Sequence, residues 1–201
     1  MKHILIIASY GPSLLSFRFP LIKKLLSKGY KVSVASPIDK FSDNLQKELK
    51  DIGVNVNIFP LSRKSLNPYK DFKTFLEIYK IIRNLKPNLI ISYTAKPVIY
   101  TGLALKFFKK IKHYPLITGL GYAFIDRDLI KHKILKYILI KLYTESFKSA
   151  EKIIFQNKDD ESLFYRLRIL SNKKLSNIVN GSGVDLNTYP LSSLPSKPIF
   201  L

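Results

Sequence analysis

Cysteine and tryptophan are absent from the 201 residues, methionine occurs once, histidine three times, and 14 acidic side chains face 34 Lys and Arg. Without cysteine there is no disulfide framework, thiolate zinc site, iron–sulfur cluster or cysteine nucleophile. His3, His113 and His132 lie far apart with no ligand spacing, which argues against a metal site and leaves no Ser/His/Asp constellation to choose. A membrane-spanning helix needs about 20 apolar residues. The longest stretch free of Asp, Glu, Lys and Arg, residues 3–17, is interrupted by Gly11-Pro12. That stretch carries no small-residue cleavage pattern, so it reads as a buried strand rather than a signal peptide, and a cytoplasmic protein is expected.

What is present is a core-forming composition. Hydrophobic residues make up 46% and aromatics 12%, too many for a disordered chain. The length suits one large domain or two small ones. The net charge of +20 is uneven, with 27 basic and 9 acidic side chains in residues 1–150 against 7 and 5 in residues 151–201. Such a surface favours polyanions: nucleic acid, anionic lipid headgroups or phosphate-bearing substrates. A basic non-catalytic module that binds membrane or nucleic acid is one reading of charge alone. Against nucleic acid, the cations are not set in a recognised binding motif.

Short β-branched runs alternate with longer amphipathic stretches. Strands are expected at 4–9, 31–36, 54–59, 89–93, 114–118, 152–156 and 176–180. Helices are expected at 14–28, 43–52, 69–85, 98–108, 128–149 and 159–167, with Pro20 moving the start of the first towards Phe19. This alternation predicts an α/β fold, a Rossmann-like parallel sheet with helices on both faces. Residues 1–190 form that domain, and the Ser/Pro-rich residues 191–201 read as a linker and the start of a further domain.

In an open parallel sheet, ligands bind beyond the carboxyl ends of the strands. The first such loop carries Gly11 and, a little further on, Arg18, with neither a dinucleotide fingerprint nor a Walker loop. After the third strand come Ser62-Arg63-Lys64-Ser65-Leu66-Asn67-Pro68, a plausible anion and hydroxyl site or a simple helix-start turn. Thr94 and Lys96 follow the fourth strand. Thr118, Gly119 and Gly121 follow the fifth, where glycines let the backbone approach a ligand. Asp159-Asp160-Glu161 fits a helix start better than a metal cluster.

Six stretches in order carry a resemblance. They are Phe17-Arg18-Phe19-Pro20-Leu21-Ile22, the Ser62–Pro68 segment, Tyr93-Thr94-Ala95-Lys96-Pro97-Val98-Ile99-Tyr100, Thr118-Gly119-Leu120-Gly121-Tyr122-Ala123-Phe124, Phe155-Gln156-Asn157-Lys158-Asp159-Asp160 and Asn180-Gly181-Ser182-Gly183-Val184-Asp185. With them the chain resembles the N-terminal, acceptor half of family-4 retaining glycosyltransferases of the GT-B fold. The similar branch builds capsular, lipopolysaccharide and other glycans on undecaprenyl diphosphate. The resemblance implies transfer of a sugar, by expectation a hexosamine, from a UDP-sugar to a polyprenyl-diphosphate-linked saccharide, with no cofactor and no required metal. It places Gly11 and Arg18 near donor diphosphate or acceptor, and Arg63, Asn67, Thr94 and Lys96 on the acceptor side. Thr118, Gly119 and Gly121 would face the cleft, and Gly181 would close the domain. Phe19 stands where many relatives have Gly. The family's paired-Glu donor motif has no counterpart here, so a C-terminal half, encoded separately or otherwise missing, is expected as a partner. By this reading the enzyme visits the inner face of the plasma membrane. Residues 106–148 hold ten basic and three acidic side chains interleaved with apolar ones, which suits an anionic interface.

Overall fold

β1 (His3–Ile7) is buried along its whole length, and its apolar side chains serve two cores. Ile4 and Ile6 pack with Val32, Val34, Leu45 and Leu49 on one face, while Leu5 and Ile7 pack with Ile78, Ile82 and Ala104 on the other. Only a strand covered on both faces needs such an unbroken apolar run. The computed structural model describes residues 1–37, 42–63, 65–120, 124, 130–171 and 175–183. After β1 the chain runs through α1 (Pro12–Ser16), α2 (Phe19–Ser27), β2 (Lys31–Pro37), α3 (Ser42–Asp51), β3 (Asn55–Phe59), α4 (Pro68–Leu85) and β4 (Leu89–Tyr93). It continues through α5 (Ala95–Leu105), β5 (Lys112–Ile117), α6 (Ile130–Phe147), β6 (Ile153–Phe155), α7 (Lys158–Arg166) and β7 (Ser176–Ile178). The seven strands form one sheet in the order β3-β2-β1-β4-β5-β6-β7, and every pairing is parallel. This is the expected Rossmann-like α/β architecture. The proposed linker, residues 191–201, and the start of the fifth expected helix at Asp128 lie outside the described residues.

The first helix departs from expectation in a way that matters for the site. Instead of one helix over 14–28, the chain forms α1 and α2 with a break at Phe17-Arg18. Pro20 sits in the first turn of α2, where a missing N–H leaves no helical bond unmade. The break sets Arg18 at the head of α2 rather than on a helix flank. The other shifts are smaller. α5 starts at Ala95, with Pro97 in its first turn, and β5 starts at Lys112. Pro115 lies inside β5 between the isolated His113–Ala150 bridge and the first β5–β6 pair, Leu116 with Ile154, so its missing N–H falls outside that ladder. Asn157 Oδ1 accepts from Asp160 N–H at 2.7 Å and caps α7, so the acidic triplet does occupy a helix start.

The far side of the sheet is held by aromatic packing. Phe124, Tyr143, Phe147, Phe155 and Phe164 bring ring centroids to 5.2–6.2 Å from one another. α5 and α6 approach closely because Gly102 faces the Ser146 backbone, where an added Cβ would lie 2.6 Å from the Ser146 Cβ. Ser149 Oγ–H donates to the Gly102 carbonyl at 2.9 Å across the same contact.

Two histidines are buried between strands and neutral. His113 Nε2 is 2.8 Å from Ser92 Oγ, Nδ1 has no partner among the described residues, and burial pushes the imidazole pKa down to about 3. His3, 2.8 Å from Ser33 Oγ, is lowered as well, by burial first and Lys31 second. Because the folded value of His113 lies below the unfolded value of 6.5, the unfolded chain takes up the extra proton in between. The His113 contribution is complete above pH 6.5 and is lost as pH falls towards 3. Between pH 7 and pH 5 that loss is about 2 kcal/mol. Urea unfolding at the two pH values is expected to show it in the wild type, and to show a correspondingly smaller drop in His113→Gln.

Candidate functional site

β1 pairs with β2 on one side and β4 on the other, so the strand order reverses at β1 and leaves a crevice beyond the carboxyl ends of β1 and β4. Two hydrogen bonds fix the near wall. Ser13 Oγ–H donates to the Tyr10 carbonyl at 2.5 Å, and the Tyr93 hydroxyl, 2.8 Å away, donates in turn to Ser13 Oγ. Tyr93 is the last residue of β4 and is buried. Burial pushes its pKa up to about 12, against the smaller opposing effects of Ser13 and Arg18. Gly11, the N-cap of α1, has φ −55°, so its value here lies in the bare backbone it leaves at the turn rather than in a left-handed conformation.

Arg18 is the centre of the crevice. Its side chain is buried, with the residue only 6% exposed, yet no carboxylate among the described residues pairs with it. The guanidinium carbon lies 4.8 Å from the Tyr93 ring centroid. Nη1 donates to Ser182 Oγ at 2.7 Å, while Nε has no partner among the described residues. Burial pulls the Arg18 pKa below the usual arginine value. Ser182 is presented by a turn between Gly181 (φ +73°) and Gly183 (φ +70°), positions that favour glycine. Gln156 Nε2 donates to the same Ser182 oxygen at 3.3 Å. The end of β4 and the segment after β7 thus meet the cation that follows β1, and Gln156 after β6 braces Ser182.

The other predicted residues divide into two sets. Arg63, exposed, lies 4.8 Å over the Tyr10 ring and forms a second guanidinium–tyrosine stack at the rim. Thr118 and Gly119 (φ +142°) leave the carboxyl end of β5, and Gly121 lies outside the described residues. Lys96 and Asn67 are occupied structurally. Lys96 Nζ donates to the carbonyls of Ser62 (2.9 Å) and Ser65 (2.6 Å) and to Asp71 Oδ1 (2.5 Å), which uses all three of its N–H groups. Asn67 Oδ1 caps α4, accepting from Tyr69 N–H at 2.9 Å and Lys70 N–H at 3.3 Å. Together they pin the β3–α4 loop that carries Arg63. Tyr10, Ser13, Tyr93, Gln156 and Ser182 were not picked out as site residues from sequence. The tyrosine that ends an apolar strand (Leu89–Tyr93) was the visible signal for one of them.

Thr94, between β4 and α5, is held at φ +69° and ψ 158°. A β-branched residue there is strained, in a region otherwise left to glycine. The strain lies at the mouth of the crevice, one residue from Tyr93.

A Rossmann-like domain with a basic crevice at its switch point is the building unit of GT-B glycosyltransferases. The chain belongs to the glycosyl transferase 4-like family, which matches residues 3–157. It is 31% identical over 179 residues to the N,N'-diacetylbacillosaminyl-diphospho-undecaprenol alpha-1,3-N-acetylgalactosaminyltransferase of Campylobacter jejuni, covering 89% of this chain and 46% of that protein. Among solved structures it is similar to Acinetobacter baumannii MurG (TM-score 0.58, 14% identity, 95% of this chain and 48% of that one). It is also similar to Anabaena HepE, solved with UDP and glucose (TM-score 0.62, 14% identity, 96% and 47%). At these identities the structural likeness establishes the fold. The chain spans about half the length of the relatives it matches.

Strain at Thr94 predicts that Thr94→Gly raises unfolding free energy by about 1 kcal/mol, since relief of a left-handed β-branched residue outweighs the backbone freedom glycine adds to the unfolded chain. Equilibrium urea unfolding checks this.

Proposed function

We propose that the chain is the acceptor-side half of a retaining glycosyltransferase that moves a hexosamine from a UDP-sugar to a saccharide carried on undecaprenyl diphosphate. Arg18 carries the reading: a buried guanidinium at the switch point, with no carboxylate among the described residues beside it, suits an anion, and phosphate oxygens match its planar fork. Family membership and the named activity of the Campylobacter relative support the same substrate class. In the reaction the bond from the anomeric carbon to the β-phosphate oxygen breaks and a bond to the acceptor hydroxyl forms. Negative charge then builds on the departing UDP. Fixed cations and backbone N–H groups in a crevice shielded from water stabilise such charge strongly. Arg18 and the Gly181–Gly183 turn serve phosphate on this reading, and Arg63, Thr94, Thr118 and Gly119 border the acceptor. The donor's nucleoside is held mainly by a C-terminal domain.

Transfer is expected when the chain is mixed with a polypeptide carrying that C-terminal domain, a UDP-hexosamine and a polyprenyl-diphosphate-linked sugar, and not from the chain alone. Arg18→Met should lower the rate by ~100-fold without lowering stability in the absence of anions, because it removes a buried charge with no counter-ion among the described residues. Activity of the chain alone, or a folded mixture that transfers nothing, contradicts the proposal.

The same reading places the protein on the inner face of the plasma membrane. Among the described residues no helix is long and apolar enough to cross a bilayer. Instead, Phe107, Ile130, Ile134, Tyr137 and Ile138 stand exposed among lysines that include Lys109, Lys110, Lys131 and Lys141. Cations near an anionic leaflet contribute about 1 kcal/mol each. The chain is expected to sediment with phosphatidylglycerol vesicles at low salt and to be released as ionic strength rises. Absence of binding, or binding indifferent to salt, contradicts this placement.

A further inference from the structure

An apolar groove of about 750 Å³ runs between α4, α5 and α6, outside the crevice. Its floor is the α5 stripe that includes Ile99 and Leu103, and its walls are Phe72 and Phe75 of α4 and Ile134 and Ile138 of α6. From Ala95 to Lys106 it follows α5 for about 16 Å at 1.5 Å per residue. Phe72, Ile134 and Ile138 remain 58%, 54% and 47% exposed, a concentration of open apolar surface that a monomer does not keep without use. Leu135, Leu139 and Leu142 of α6 line the same groove and also pack against the aromatic core.

One end of the groove lies beside the β3–α4 loop at the rim of the crevice. Leu66 and Pro68, which border it there, belong to the loop that Lys96 clasps and that carries Arg63. The polar groups at this end are already matched. Asp71 pairs with Lys96 and is hydrogen-bonded by the Tyr100 hydroxyl, whose pKa is raised by burial first and by Asp71 second. Past that point the lining is hydrocarbon, with Lys106 and Lys131 at the margin. A saccharide or nucleotide would find nothing there to bond. A long hydrocarbon attached to an anion in the crevice would enter from the open end and follow α5.

We infer that this groove holds the isoprenoid chain of the lipid-diphosphate acceptor, next to its diphosphate. The inference rests on the acceptor reading given above. It makes the groove a selector for lipid-linked over free saccharides, with the first isoprene units held on the protein and the rest left to the bilayer.

The chain's lack of tryptophan supplies the test. Phe107→Trp, at the far end of the groove and 68% exposed, places a single fluorophore there. Titration with geranylgeranyl diphosphate is expected to shift its emission to the blue, whereas isopentenyl diphosphate, too short to reach, leaves it unchanged. Calorimetry is expected to give at least tenfold tighter binding of geranylgeranyl diphosphate than of inorganic diphosphate. Ile134→Glu with Ile138→Glu, both at exposed positions, should abolish that difference while leaving inorganic diphosphate binding intact. Equal affinity for the long and short diphosphates, no emission shift, or equal displacement by lysophosphatidylglycerol would overturn the inference. Should inorganic diphosphate fail to bind while geranylgeraniol still shifts the emission, the groove stands and the phosphate reading of the crevice falls.

Discussion

A buried guanidinium with no counter-ion among the described residues is the constraint around which the crevice is organised. Removing a charge from water costs several kcal/mol even after relaxation. The face of Tyr93 and one hydroxyl from Ser182 return only part of that, and Nε has no partner among the described residues. Such an arrangement persists because the scaffold enforces it. The α1–α2 break turns Arg18 inward, Ser13 locks Tyr93 beneath it, and two left-handed glycines hold Ser182 in place. Strain at Thr94 sits beside the same group. On the proposed reading the crevice is prepared for an anion before one arrives, which is what electrostatic catalysis of phosphate departure requires.

The remaining structure keeps that preparation rigid. A parallel sheet buried on both faces supplies the strand ends, and packed side chains rather than loops set their spacing. Lys96 illustrates the division of labour. Its charge is spent on two carbonyls and Asp71, so it orders the loop bearing Arg63 instead of meeting a ligand with a free ammonium. The neutral histidines serve the sheet, not the crevice: each lies against a serine of the neighbouring strand.

The strands and the sheet class were legible because β-branched runs such as Ile4–Ile7 and Leu89–Ile91 have one physical use, burial on both faces. The loops were legible as places, since carboxyl strand ends follow from the class. Roles within them were not, because the partners are distant in the chain. Ser13 meets Tyr93 across 80 residues and Arg18 meets Ser182 across 164, and no local pattern encodes either pairing. Lys96 and Asn67 read as cleft residues for the same reason: a cation and an amide in a loop look alike whether they face a ligand or cap a helix. The helix break at Phe17-Arg18 was half visible in Pro20. The groove was half visible too, since the apolar side chains of α6 outnumber what a single buried face needs.

Crevice and groove lie on either side of one loop, and on the proposed reading they divide an amphipathic acceptor between them, anion in one and hydrocarbon in the other. The account stands or falls on Arg18 as the anion receptor. The most direct measurement is the ¹⁵N–¹H resonance of Arg18 Nε followed by NMR while inorganic diphosphate is titrated into the chain. The account predicts a saturable downfield proton shift at Arg18 Nε that is absent for the exposed arginines Arg83 and Arg166. Saturable shifts confined to exposed cations, with Arg18 unmoved, would contradict it.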